Sequence, residues 1–129
     1  MSEPRWLALD EVLVAHERQL ARFGGAPGLR DGGLLESALA RPRNKWLYEQ
    51  ADLPELAASY AHGLARNHPF VDGNKRVAFI AMTAFLRLNG IRFSPPQDAA
   101  TAIILGLAAG EISEEGLTRW IRDSLPAEE

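Results

Sequence analysis

The segment 74–89 is the feature that most restricts how this chain can fold. Its apolar side chains cover nearly every face of a helix, and they are Val77, Ala78, Phe79, Ile80, Ala81, Met82, Ala84, Phe85, Leu86 and Leu88. A helix that is apolar on all sides has to be surrounded by other elements. The run is too short and too interrupted, by Thr83 and Arg87, to span a bilayer, which needs about 20 apolar residues. We therefore interpret it as a central core helix.

Helical periodicity is present along most of the remaining chain. It predicts further helices at about 10–22, 33–40, 53–67 and 97–109, and a last one from about 114. Asp10, Asp31, Asp52 and Ser113 are placed as N-caps of these segments. The fold predicted is all-α, a compact bundle of about six helices around the central helix 74–89, formed by one domain over 1–129. His16 lies on the apolar stripe of the first helix, which is typical of a partly buried packing residue.

The stretch 42–51 is the least regular part of the pattern. Pro42 is expected to end the second helix, because the residue before a proline avoids the α region. The following residues then form either a flap over a cleft or a solvated connector anchored by Trp46, and they are the one place where a short hairpin is allowed.

Composition excludes some classes of protein and disfavours others. The chain has 129 residues and no cysteine, so disulfides and thiolate metal sites are excluded, and a cytoplasmic location is expected. The first residues, MSEPRW, lack the pattern of a signal peptide. The net charge of −3 argues against a DNA-binding helical domain, because such surfaces carry a strong positive balance.

The nonapeptide HPFVDGNKR, residues 68–76, is the polar junction between two apolar helices. Gly73 allows a sharp turn and close approach of a ligand to the backbone. The helix that starts there offers unpaired N–H groups and the positive end of its dipole, which together favour an anion such as phosphate. Lys75 and Arg76 in the first turn oppose that dipole, so a bound anion would explain them.

Three other side chains of the nonapeptide suit phosphate chemistry. Asp72 is a hard oxygen ligand of the kind Mg²⁺ uses together with substrate phosphates. Asn74 can donate to a phosphate oxygen, and His68 is a residue type suited to general base catalysis. The set predicts phosphoryl or nucleotidyl transfer from a nucleoside triphosphate. The alternative is a capped turn with solvated charges, which each residue taken alone would favour.

The nonapeptide resembles the signature of the Fic/Doc family, H-x-F-x-[DE]-G-N-G-R-x-x-R, and in particular its death-on-curing (Doc) branch. Lys75 stands where Fic enzymes have glycine, and Phe79 stands where they have the second arginine; both are typical of Doc-like members. Segments 28–42 and 56–70 also look like this branch, so the resemblance covers most of the chain.

The resemblance implies an all-helical enzyme that uses ATP and Mg²⁺. Fic proteins transfer AMP to a hydroxyl of a target protein. Doc toxins transfer the γ-phosphate to a threonine of translation elongation factor Tu and so arrest translation. It further implies that His68 deprotonates the hydroxyl, that Asp72 holds Mg²⁺, and that Lys75 and Arg76 neutralise the phosphates, with anion-hole contacts from Gly73 and Asn74.

A small Phd-like antitoxin is the partner that the resemblance implies, and exposed apolar surface such as Trp6 or Trp46 is expected to serve that contact. No membrane and no direct nucleic-acid partner is expected. Two other functions stay open: an AMP-transferase of Fic type, and an inactive module that binds a nucleotide or a partner. The intact His68 argues against the inactive module.

Overall fold

Six helices form the regular structure of residues 2–126, which are the residues that this computed structural model describes. They are α1 (Leu9–Phe23), α2 (Gly32–Glu49), α3 (Leu53–Asn67), α4 (Asn74–Leu88), α5 (Gln97–Ala108) and α6 (Glu114–Ser124). No strand is present in that range, where the β-type pairing is limited to an isolated bridge between Leu29 and Phe70. The all-α prediction is therefore confirmed. None of the helices described is long and apolar enough to cross a membrane.

The core is built around α3 and α4 together. α4, the segment predicted to be central, packs against α1, α3 and α5. α3 packs against α2, α4, α5 and α6, and ten of its fifteen residues are buried. Small residues make this possible: a Cβ at Gly63 would lie 3.1 Å from the Cβ of Ala38, so α2 and α3 approach almost to backbone contact there.

α2 differs most from the sequence prediction. It runs through a buried Pro42 to Glu49, so the predicted end at Pro42 is wrong. The flap, the connector and the hairpin considered for 42–51 are wrong for the same reason. A proline inside a helix costs about 3 kcal/mol. Contacts on both sides of it offset that cost, because Arg41 and Lys45 pair with Glu114 of α6 while Trp46 packs on the core.

Trp46 of α2 and Trp6, which precedes α1, both face the core. Trp6 stacks on Phe85 with ring centroids 5.9 Å apart, and it meets Trp46 edge-on at 6.2 Å. Both are half-buried against the core. The expectation that they form exposed apolar surface for a partner is therefore wrong.

Most helix starts follow the predicted caps. Asp31, Asp52 and Ser113 each accept a backbone N–H in the first turn of their helices, and Glu55 completes a capping box with Asp52. Asp10 is an exception, since α1 begins at Leu9. There the Glu11 side chain accepts the N–H of Ala8 at 2.8 Å instead.

Glu114 at the start of α6 holds α2 and α6 together. Its side chain is 7% exposed; it bonds Lys45 Nζ at 2.6 Å and pairs with Arg41. Burial by itself would raise the pKa of Glu114, but the hydrogen bonds and charges of Lys45 and Arg41 outweigh burial and lower it below its ordinary value of 4.5. The carboxylate is therefore ionised in the folded protein.

We predict that Glu114→Gln lowers the free energy of unfolding by about 2 kcal/mol at pH 7, because two cations lose their buried partner while remaining partly solvated. The contribution of Glu114 is complete above pH 4.5 and is lost as the pH falls through its lower folded-state pKa. Urea unfolding at pH 7 and at pH 3.5 measures both effects. Glu111→Gln, an exposed residue on the preceding turn, is the control. An equal loss at the two pH values would contradict the ion-pair explanation.

Candidate active site

The side chain of Asn74 closes the loop between α3 and α4. Its Oδ1 accepts the N–H of Phe70 at 2.9 Å, and its Nδ2 donates to the carbonyl of Phe70 at 3.0 Å. Asn74 is buried, and the Phe70 ring is buried beside it. Oδ1 and one of the two N–H groups of Nδ2 are therefore engaged within the loop. That the Asn74 side chain also donates to a phosphate oxygen stays a prediction.

α1 packs against the same loop through His16. The ring of His16 stacks on Phe70 with centroids 3.7 Å apart and an interplanar angle of 11°. Its Nε2 lies 2.7 Å from the carbonyl oxygen of Asp72, which can only accept, so Nε2 carries the proton. The packing role predicted for His16 is confirmed, and the hydrogen bond adds a fixed distance between α1 and the loop.

The segment 28–31 holds the loop from its other side. Val71 N–H bonds the carbonyl of Gly28 at 3.0 Å, and the N–H groups of Arg30 and Asp31 both bond the carbonyl of Pro69. The Arg30 guanidinium donates to two further carbonyls, those of His68 at 2.6 Å and Asn67 at 2.8 Å. Carbonyl groups at the end of α3 have no partner within the helix, and the Arg30 side chain donates hydrogen bonds to two of them.

His68 follows the last residue of α3 in a left-handed backbone conformation, with φ 49° and ψ 56°. This conformation is uncommon for a residue with a side chain, and it persists only where neighbouring contacts enforce it. Here the Arg30 bonds enforce it. As a result the His68 side chain is exposed and lies at the edge of the cleft in front of α4.

Gly73 immediately precedes α4, and no other residue could take its place without strain. Gly73 has φ 79°, and a Cβ there would lie 1.9 Å from Nε2 of Gln19. Gln19 is 3% exposed, and neither of its amide atoms is hydrogen-bonded within residues 2–126. No side chain in that range caps α4, and its first turn has no acidic residue. Among the described residues, the first N–H groups of α4 are therefore left without a side-chain cap, and Asp72 is the carboxylate that adjoins the helix start.

Asp72 is held with its carboxylate beside the start of α4. Oδ1 accepts the N–H of Gly73 at 2.8 Å, and Oδ2 accepts the N–H of Ala26 at 3.2 Å. These two bonds, with smaller effects of the charges on Arg76 and His16, lower the pKa of Asp72 below its usual value. The group is an exposed carboxylate anion at neutral pH, and each oxygen retains a lone pair.

These properties fit Mg²⁺ held by one carboxylate together with the phosphates of a nucleotide. Nowhere in residues 2–126 do three His, Cys, Asp or Glu side chains cluster as a metal cage would require. Mg²⁺ is commonly bound through one or two carboxylates and substrate phosphates, so such a cage is not needed. Asp72 would be the protein ligand.

Lys75 and Arg76 project from the first turn of α4 into a cleft of about 990 Å³. Both are exposed, and neither has a carboxylate within 4.0 Å in the part of the chain that the structure describes. The cleft brings together all six predicted site residues, namely His68, Asp72, Gly73, Asn74, Lys75 and Arg76. Phe79 lines it one turn further along α4, with α5 forming the opposite wall.

Sequence reasoning missed the residues that come from elsewhere in the chain. Arg30 lies in segment 24–33, which is rich in glycine and proline and predicts only a loop. Arg22 and Phe23 lie where the first helix is predicted to end, yet they line the cleft beside Arg76, and α5 contributes Gln97, Thr101 and Leu105. The resemblance of segment 28–42 was the available signal for Arg30, and no motif singled out Arg22 or Phe23.

The fold and site define a helical protein whose cleft brings a histidine and a carboxylate beside the start of a helix. Residues 6–86 match the sequence profile of the Fic/DOC family. This chain belongs to the Fic/DOC family.

Two named proteins are similar to this chain over most of its length. The chain is 36% identical over 120 residues to the "Protein kinase doc" of Escherichia phage P1, a match that covers 92% of this chain and 94% of the phage protein. It is 43% identical over 100 residues to the "Toxin Doc" of Mycolicibacterium smegmatis, covering 75% of this chain and 74% of that protein. The resemblance to the Doc branch is thereby confirmed.

We predict that Arg30→Ala lowers turnover at this site about tenfold, because His68 loses the contacts that enforce its backbone conformation. The free energy of unfolding should fall by only about 1 kcal/mol, since Arg30 is exposed. Turnover of labelled ATP and thermal melting measure the two effects. Arg87→Ala, at the far end of α4, serves as the control for loss of an exposed arginine. Unchanged turnover in Arg30→Ala would show that the function of His68 does not depend on the hydrogen bonds from Arg30.

Proposed function

We propose that this chain is the toxin of a toxin–antitoxin pair, a Doc-type kinase that transfers the γ-phosphate of ATP to a hydroxyl of a target protein. The observation that carries the proposal is the start of α4, where Lys75 and Arg76 lie in one cleft with His68. Among residues 2–126, no side chain caps this helix start and no carboxylate lies within 4.0 Å of either cation. The names of the two relatives support the same reading.

The residues after Gly73 favour transfer of the terminal phosphate. A glycine at position 75 would leave room for the far end of a triphosphate against the backbone, but Lys75 fills that space. Phe79 lies in the cleft where a second arginine would clamp the triphosphate. The nucleotide is therefore expected to bind with its γ-phosphate, rather than its α-phosphate, facing the acceptor.

The reaction can be written with this chain's own groups. The acceptor oxygen attacks the γ-phosphorus, the bond from that phosphorus to the β,γ-bridging oxygen breaks, and ADP leaves. A ring nitrogen of His68 takes the hydroxyl proton. Lys75, Arg76 and the first N–H groups of α4 stabilise the charge that builds on the phosphate oxygens. Mg²⁺ at Asp72 supplies further neutralisation of the phosphates when bound.

The target and the partner belong to the same proposal. A threonine of translation elongation factor Tu is the acceptor that the Doc branch implies, so the effect would be arrest of translation in the cytoplasm. A toxin of this kind requires an antitoxin, and a small Phd-like protein is the expected one. Co-expression of such a protein should restore growth to cells that this chain inhibits.

Labelled ATP decides between the two transfer reactions. With elongation factor Tu as acceptor, we expect label on the protein from [γ-³²P]ATP and none from [α-³²P]ATP. His68→Ala should reduce the transfer by at least about 100-fold, because the general base is lost, while retaining Mg-ATP binding. Label only from the α position would replace the kinase by an AMP-transferase. No label from either, together with unimpaired growth on expression, would favour the inactive binding module.

Asp72→Ala tests the metal ligand. We expect Mg²⁺-dependent binding of ATP to be lost while the fold is retained, because the carboxylate is exposed. Titration calorimetry with ATP in Mg²⁺ and in EDTA measures the difference, and circular dichroism checks the fold. Asp98→Ala, in the first turn of α5, is the matched control. An unchanged affinity for Mg-ATP in Asp72→Ala would remove this residue from the metal site.

A further inference from the structure

Phe23, the last residue of α1, lines the cleft together with Lys75 and Arg76. The residue is 54% exposed. The guanidinium carbon of Arg76 lies 4.6 Å from the centre of its ring, and that of Arg22 lies 5.2 Å from it. Both distances are within the range of a cation–π interaction. Two cations from different helices thus share one aromatic ring.

Salt bridges do not account for the positions of these two arginines. Neither Arg22 nor Arg76 has a carboxylate within 4.0 Å among residues 2–126. Without the ring, an exposed arginine in the first turn of α4 would sample many rotamers, and the like charge of Arg22 would drive it away. The stacking keeps Arg76 beside the start of α4, where two N–H groups of its planar guanidinium can bind two phosphate oxygens at once.

The ring is a fixed platform, because α1 is tied to the loop that carries the site. His16 bonds the carbonyl of Asp72 at 2.7 Å and stacks on Phe70. Gln19 packs against Gly73 one turn further along. Phe23 follows on the next turn, so the distance between its ring and the start of α4 is set by these buried contacts rather than by the exposed end of the helix.

We propose that Phe23 is a positioning residue, whose ring holds the Arg76 guanidinium in the orientation that binds the phosphates of the nucleotide. Arg22, on the same ring, adds a third positive charge to those of Lys75 and Arg76. The inference rests on the proposed function, because it requires that the cleft binds a nucleotide. It does not depend on which phosphate is transferred.

A double-mutant cycle on nucleotide affinity tests the inference. The variants are Phe23→Ala, Arg76→Ala and the two combined, each titrated with Mg-ATP. We expect Phe23→Ala to weaken binding about fivefold, the size of an exposed cation–π contact. In the Arg76→Ala background the same change should cost less than about twofold, because the group that Phe23 positions is absent. Equal losses in both backgrounds would overturn the positioning role.

Two further variants separate positioning from a general effect on the fold. Phe23→Tyr keeps the ring face and should retain affinity within about twofold of the wild type, and failure to do so would overturn the inference. Val14→Ala truncates another exposed apolar residue of α1, outside this cleft, and should leave affinity unchanged. A loss of affinity in Val14→Ala equal to that in Phe23→Ala would also overturn it.

The same titrations distinguish failure of the inference from failure of the proposed function. If the wild type does not bind Mg-ATP, both are wrong. If the wild type binds and Arg76→Ala weakens binding while Phe23→Ala does not, the nucleotide site stands and only the role of Phe23 is wrong. In the γ-phosphate assay, we expect the Phe23→Ala loss to appear mainly in KM for ATP, since His68 is untouched.

Discussion

The pair of hydrogen bonds between the Asn74 side chain and the backbone of Phe70 is the constraint on which the site depends. It joins the first residue of α4 to the loop before it, so that the loop and the helix start move as one unit. The Phe70 ring is buried under the loop, which anchors the unit in the core. His68 lies two residues before this closed turn and Asp72 lies within it, so the turn helps to set the positions of both.

Two other parts of the chain then hold the backbone that carries His68 and Asp72. α1 bonds the carbonyl of Asp72 through His16, and segment 28–31 bonds the backbone on both sides of His68. The arrangement places fixed N–H groups and positive charges around an open space before a ligand arrives. A phosphate site that is organised in advance needs little rearrangement during reaction, which is how such sites stabilise developing charge.

The salt bridges of the described residues are formed by side chains that do not line the cleft. The buried ion pairs of Glu114 with Arg41 and Lys45 join α2 to α6, and Arg122 of α6 pairs with Asp52 and Glu55 at the start of α3. Among residues 2–126, Arg22, Lys75 and Arg76 of the cleft have no such partner. Their charges are therefore available to an anionic ligand.

The sequence by itself determined the helical class, the central place of 74–88, three of the caps and the six residues of the nonapeptide that the cleft brings together, because periodicity, capping and the motif are local properties. It could not decide the course of α2, since Pro42 breaks a helix unless distant contacts such as those of Glu114 hold both sides. Nor could it place Arg30 or Phe23 in the site. Their roles depend on where α1 and the 28–31 segment pack against α4, and only the tertiary structure sets that geometry. The loop-closing role of Asn74 was not visible in the sequence for the same reason, because it depends on the burial of its amide beside the backbone of Phe70.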